Sequence, residues 1–253
     1  MKMPVLTGET WIVLAAGAAS AVVAAIIAWL LRERREPENV TIGFLGPSLA
    51  AIYLLVLALA LATEWQTIGS AQQAVSSEAV AIRQVYWAAS GLPAPTGNVL
   101  RAQVRGYLTT VLNHDWPHME HGSLDDQSMA QLTAMSTTVL RANVVTSGAS
   151  NAQQFAVGQL SAVAAAHAQR ANAAGTRLPL GVLVAVIVTS LFVCVFPFAC
   201  GVRSPASITM AILQAALVTI TVVVVLQLNN VFTGPLATGP GPIAEVAAEV
   251  GAQ

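Results

Sequence analysis

Residues 42–89 read IGFLGPSLAAIYLLVLALALATEWQTIGSAQQAVSSEAVAIRQVYWAA, and the change of character inside that stretch decides the fold. Its first 22 residues, Ile42 to Thr63, hold no Asp, Glu, Lys or Arg. That is enough apolar helix to cross the hydrocarbon core of a bilayer. From Trp65 onward apolar or small residues recur at Trp65, Ile68, Val75, Ala79, Ile82, Tyr86 and Ala89 in steps of three and four, with Gln72 the one polar member of the series. This is the spacing of a helix-packing seam. No Pro or Gly pair separates the two halves, so one long helix is expected to leave the membrane and pack outside it, until Gly91, Pro93, Pro95 and Gly97 turn the chain.

Working outward, the whole chain has the same bias. Of its 253 residues 55% are apolar and 9% charged, against ~25% charged in an ordinary soluble domain. Three further stretches carry no charge: Trp11–Leu31 with 21 residues, Leu178–Ala199 with 22 and Ala206–Leu228 with 23. The first is not a cleavable signal peptide, because its apolar run is long and ends in Arg32, Glu33, Arg34, Arg35 and Glu36. Between the second and third spans lies a polar segment, Glu64 to Arg177, with six Arg and six acidic residues in 114 positions.

That segment has a helical pattern throughout. Val99, Leu100, Val104, Tyr107, Leu108, Val111 and Leu112 form one apolar face, closed by Asp115, Trp116 and Pro117. Ser123 and Asp126 cap a third helix with the face Met129, Leu132, Met135, Val139 and Leu140, ended by Gly148. Ser150 or Asn151 caps a fourth, carrying Phe155, Leu160, Val163, Ala164 and His167 and reaching Gly175. The predicted fold is an all-α membrane protein, with four transmembrane helices and a four-helix bundle inserted between spans 2 and 3. Its parts are spans 1 and 2 in residues 1–63, the bundle in 64–177, spans 3 and 4 in 178–232, and a Gly/Pro-rich flexible tail in 233–253. Within the tail, Ile243 to Val250 make two helical turns when docked.

Charge narrows both placement and function. The two short loops carry Arg32, Arg34, Arg35 and Arg203, against Lys2 and Arg177 on the opposite side, which places the short loops in the cytoplasm and the bundle with both termini outside. A net charge of −1 gives no basic footprint for nucleic acid. Uncharged spans argue against a proton relay or a voltage sensor.

Candidate sites are few. His114, His118 and His121 lie within eight residues and suit zinc or copper, the competing reading being a polar turn between helices that Pro117 interrupts. No nucleophile with a base and an orienting third group is present, so no enzyme and no cofactor are expected. Cys194 and Cys200, six residues apart on a helix, are too distant for a disulfide. In the fourth span Ser207, Gln214 and Thr221 share one face and serve either interhelical hydrogen bonding or pore lining. Gly17, Ala21 and Ala25 make a close-packing stripe in the first span. Gly46 and Pro47 loosen the second span, so that Phe44, Ser48, Ala51 and Leu55 form a stripe read as a pore constriction or as the face of a kinked core helix.

The chain resembles the bacterial bestrophin-like proteins over roughly residues 32–232. The resemblance rests on the Arg-rich first loop, Gly43, Phe44 and Tyr53, Trp65, Glu78 and Ala79, Gly91, Leu92 and Pro93, Leu100 and Arg101, Tyr107, the Asp115, Trp116, Pro117, Met119 and Gly122 run, and the closing pair of spans. It implies kinship with bestrophins, which are ring-shaped pentameric ion channels whose second span lines a narrow apolar neck. By place on the second span it makes Phe44, Ser48 and Ile52 the neck residues; Gln214 and Thr221 are pore candidates by their shared face on the fourth span. The expected function is an oligomeric ion channel in a bacterial inner membrane, built as a homo-oligomer in the lipid bilayer. The alternative is a non-conducting, membrane-anchored interaction subunit that docks a partner or a larger membrane complex through its bundle and tail.

Overall fold

A computed structural model describes residues 39–120, 127–199, 205–229, 231–233 and 237–251. The first span, with Gly17, Ala21 and Ala25, lies outside the described residues, as do His121, Cys200, Arg203 and the Ser123–Asp126 cap. Among the described residues every regular element is helical. Three helical runs, Leu45–Gly91, Ser147–Pro197 and Pro205–Leu228, are long and apolar enough to cross a membrane.

Helix α1, Asn39–Ala88, is continuous for 50 residues with Pro47 inside it, and a 3-10 turn, Ala89–Gly91, ends it. Helix α2, Ala94–Thr110, starts with Pro in its first turn, where the missing N–H is no loss. It does not stop at the Asp115–Pro117 run as its sequence suggests. A π-helical turn, Val111–Asp115, carries it into α3, Trp116–Glu120. The wider turn absorbs the hydrogen bond that Pro117 cannot donate. Helices α4, Gln127–Leu140, and α5, Ser147–Gly175, follow. Gly148 lies inside the first turn of α5 and does not end α4. The cap is Thr146, not Ser150 or Asn151, and its hydroxyl accepts from the Ala149 N–H at 3.2 Å. Extended backbone at Thr146 frees its side chain to do this. The last elements are α6, Leu180–Ala199, α7, Pro205–Leu228, and α8, Gly241–Gly251.

The chain forms two compact units. In the membrane unit, residues 1–65 and 177–229, the hairpin of α6 and α7 packs with α1 around Tyr53, Leu57, Ala60, Val186, Val193, Val218 and Val225. These recur at three, four or seven residues, one stripe per helix. Asn229 Oδ1 accepts from the Leu178 N–H at 2.7 Å and ties the end of α7 to the start of α6.

In the second unit, residues 66–176 and 230–253, α4 packs on α2 and on α5, α8 is laid against α2, and α1 joins them through Glu78, which bonds Tyr107 of α2 and Arg170 of α5. The inward seam of α1 runs Ile68, Ala71, Val75, Glu78, Ile82, Val85 and Ala89, while Trp65 and Gln72 face out. The α5 seam runs Ala156, Leu160, Val163, His167, Arg170 and Ala174 in the same steps, and Phe155 points outward. Both seams therefore carry ionisable residues at positions that packing reserves for apolar ones.

Candidate functional site

Glu78 from α1 and Arg170 from α5 meet in the interior of the second unit, both fully buried. Arg170 grips Glu78 with two bonds, Nε to Oε2 at 2.8 Å and Nη2 to Oε1 at 3.0 Å. Such a fork matches the planar guanidinium to the carboxylate. The two Nη2 hydrogens are shared among three acceptors, since Asp115 Oδ2 at 3.2 Å and His167 Nδ1 at 3.0 Å also lie within reach, and Nη1 reaches Met119 Sδ at 3.2 Å. The Tyr107 hydroxyl donates to Glu78 Oε1 at 2.7 Å. Over the guanidinium lies the Trp116 ring, 5.8 Å away, and Phe232 meets Trp116 edge-on at 5.7 Å.

Local structure explains why these groups converge. The π turn advances the helical phase by one residue, so Asp115 points inward while Asn113 and His114 stay exposed. Trp116 and Met119, three residues apart on α3, then share the inward face with it.

The electrostatics follow from burial and pairing. Burial works against the charge on Arg170, but Glu78 first, then Tyr107 and Asp115, outweigh it and raise its pKa. Burial, reinforced by Glu78, pushes the Tyr107 phenol well above its ordinary value. His167 is driven down to about 4 by burial and then by Arg170. Because a guanidinium only donates, His167 Nδ1 must accept, which puts the imidazole proton on Nε2, facing Ser128 Oγ at 3.4 Å. Two carboxyls thus surround one guanidinium, and Asp115 Oδ1 is buried with no hydrogen-bond partner. The cluster ties α1, α2, the π turn, α3, α4 and α5 to one centre. Its chemistry is that of a lock, since Arg170 donates to four protein side chains.

The residues singled out by sequence are distributed differently. Ser48 and Ile52 lie on α1, with Ser48 half-buried and Ile52 51% exposed, and the Phe44 side chain is outside the described residues. Thr221 hydrogen-bonds Tyr53 across the α7–α1 contact. Gln214 donates to the Val193 carbonyl of α6 at 3.3 Å. It also lines a cleft of about 300 Å³ with Pro197, Ala206, Ser207, Met210 and Ala211. His114 and His118 are exposed, and among the described residues no three His, Cys, Asp or Glu side chains are grouped to hold a metal. Glu78, His167 and Arg170 were missed as site residues. The available signal was an ionisable residue at an inward seam position on two helices.

A second arrangement on α1 bears on function. Leu45, Ser48, Ile52, Leu55, Leu59 and Ala62 form a stripe in steps of three and four, open along most of its length, with Leu55 72% and Leu59 56% exposed. The same steps continue through Gln66, Gly69, Gln73 and Ser76, all exposed, and a Cβ built on Gly69 meets nothing within 4 Å. The helix thus carries two seams, one filled by its own chain and one unfilled.

Comparison with known proteins adds the following. A family model described as a bestrophin-like domain matches residues 10–243. No curated protein matches the chain. A crystal structure of a membrane protein is similar in fold, with a TM-score of 0.71 at 11% identity, covering 94% of this chain and 97% of that one.

Proposed function

The chain belongs to the bestrophin-like family of membrane proteins, and from that premise we propose that several copies close into a ring whose axis is lined by the open seam of α1, forming an ion-conducting pore. The single observation that carries this reading is the seam itself. A three-four spacing left unburied along a helix suits parallel association with identical helices, because each copy presents the same ridge to the axis. Leu45, Ile52, Leu55 and Leu59 then form the narrow apolar neck, with Ser48 beside it, and Gln66, Gly69, Gln73 and Ser76 continue the path as a small, polar lining. Four spans cross a bacterial plasma membrane, with the bundle and both termini outside. Gln214 and Thr221, engaged by neighbouring helices, hold the wall rather than line the path. The reading needs no cofactor, no metal and no catalytic group.

The alternative, a non-conducting subunit docked on other proteins, is favoured by the exposed Trp87, Leu140, Val145 and Phe155 on the second unit. Subunit counting separates the two. Mass photometry of the detergent-extracted protein is expected to give a closed homomeric ring, and a monomer or one or two copies bound to foreign subunits would overturn the pore. In liposomes, Ile52→Ala and Leu55→Ala widen the neck and are expected to change conductance by about twofold or more. Unchanged conductance and ion selectivity would remove the neck assignment.

A further inference from the structure

Two arginines of α2, Arg101 and Arg105, stand over the Tyr86 ring of α1, and a third, Arg83 on α1, shares with Arg105 the end of α8 as its partner. The guanidinium carbons of Arg101 and Arg105 stand 5.4 and 5.8 Å from the centre of the Tyr86 ring, and Arg105 Nη2 donates to the Tyr86 hydroxyl at 3.1 Å. What faces them is the C-terminal end of α8. Arg105 Nε donates to the Val250 carbonyl at 3.2 Å, and Glu249 Oε2 lies 3.1 Å from Arg83 Nε. That second approach is poorly aligned with the N–H, so it is an ion pair and not a hydrogen bond.

Among the described residues the cluster is short of negative charge. Three guanidiniums meet one carboxylate and the carbonyl end of a helix, which is worth roughly half a negative charge. The Nε groups of Arg83 and Arg101 are buried with no hydrogen-bond partner, and a buried unmet donor is costly. Planar, stacked guanidiniums with free N–H groups match the oxygens of a phosphate group. Glu249 and Val250 are therefore a partial ligand. The helix that supplies them is only 11 residues long and follows Gly239 and Pro240. It is otherwise held by Ile243, Val246 and Val250, which are buried.

We propose that Arg83, Arg101, Arg105 and Tyr86 form an anion-binding site for a phosphate-bearing ligand, occupied in cis by the end of α8, and that binding of the anion releases that end. The lock at Arg170 and the seam of α1 take no part in this, so the proposal stands apart from conduction.

The test is hydrogen exchange of residues 241–251 in the full-length protein in neutral-lipid nanodiscs, with inorganic pyrophosphate as the probe and sodium chloride matched in ionic strength as the control. A ligand that binds only the opened site raises the opening constant by the factor 1 + [L]/Kd, so at ten times Kd exchange is expected to rise about tenfold beyond chloride. Arg101→Gln, which among the described residues removes no hydrogen bond or ion pair to α8, is expected to keep the protection of 241–251 and abolish the pyrophosphate effect. Glu249→Gln removes the resident carboxylate and is expected to tighten pyrophosphate binding by calorimetry. A parallel arm with phosphatidylglycerol in the nanodisc and no pyrophosphate identifies the source. Loosening in that arm alone assigns the phosphate to a lipid headgroup, and loosening in the pyrophosphate arm alone assigns it to a soluble anion. Exchange that follows ionic strength only, or a pyrophosphate effect that survives Arg101→Gln, overturns the proposal.

Discussion

Removing Arg170 would leave Glu78 and Asp115 buried without their cation. A buried ion pair contributes little net stability when whole, because desolvation offsets attraction, but deleting one member typically costs about 3–5 kcal/mol. Arg170→Met is therefore expected to destabilise the protein by that amount in thermal or denaturant unfolding. Adding Glu78→Gln and Asp115→Asn to the same chain should recover a large part of the loss, since neutral groups no longer need the cation. Equal destabilisation in the triple variant would show that packing, not charge, dominates at this centre. His167 gives the cluster a pH signature. Its ordinary pKa of 6.5 falls to about 4 in the folded state, so the unfolded chain binds the extra proton first as pH drops. The stability that a neutral His167 confers is complete above 6.5 and is lost progressively as pH falls toward 4, on the order of 3 kcal/mol across that window. His167→Gln is expected to flatten the stability profile between those values relative to the parent chain. An unchanged slope would mean that the imidazole is not held neutral.

Among the elements, the corner between α1 and α2 is the least forgiving. A Cβ on Gly97 would lie 2.3 Å from the Ala89 carbonyl oxygen, a backbone atom that cannot rotate away. Alanine's helical preference, worth about 1 kcal/mol, works the other way but is the smaller effect beside overpacking of about 1–3 kcal/mol. Gly97→Ala is thus expected to lower stability, while Gly106→Ala on the same helix, where nothing lies within 4 Å, should raise it. Comparing the two melting temperatures checks the argument, and a stabilising Gly97→Ala would disprove the close approach. The π turn was not legible in sequence for a related reason. Pro117 marks a break in a regular helix, but whether the chain stops or widens by one residue depends on what the following turn gains inside. Here Trp116 and Met119 pack beneath α5 and Asp115 reaches Arg170, so the helix continues.

At the scale of the whole molecule, the arginine-rich short loops predict on which side of the membrane the second unit lies. Val145 lies in the turn between α4 and α5 and is 88% exposed, so a cysteine there reports sidedness without disturbing a core. Val145→Cys in intact cells is expected to react with a membrane-impermeant maleimide before lysis. Reaction only after lysis would place the bundle in the cytoplasm and invert the reading of the arginine-rich short loops.

Much of this protein was legible residue by residue. Uncharged runs of 22 or 23 residues define membrane spans because transfer into hydrocarbon is a local property of each segment, and the three-four spacing from Ile68 to Ala89 defines a packed helix because a helical face is local too. The corner at Gly91 to Gly97, the start of α6 beyond Pro179 and the bestrophin-like motifs were visible for the same reason. Periodicity identifies a face but not what lies against it. Glu78 and Arg170 are 92 residues apart, and Arg105 and Val250 are 145 apart. Their meeting depends on how α1, α2, α5 and α8 pack, and only the tertiary structure decided it. The partners of the polar face of α7 were likewise not legible, because the spacing of Gln214 and Thr221 identifies a face and not what lies against it. Tyr53 and the Val193 carbonyl, brought up by neighbouring helices, engage both side chains, because hydrogen-bonding groups inside an apolar medium take the nearest partner that packing supplies.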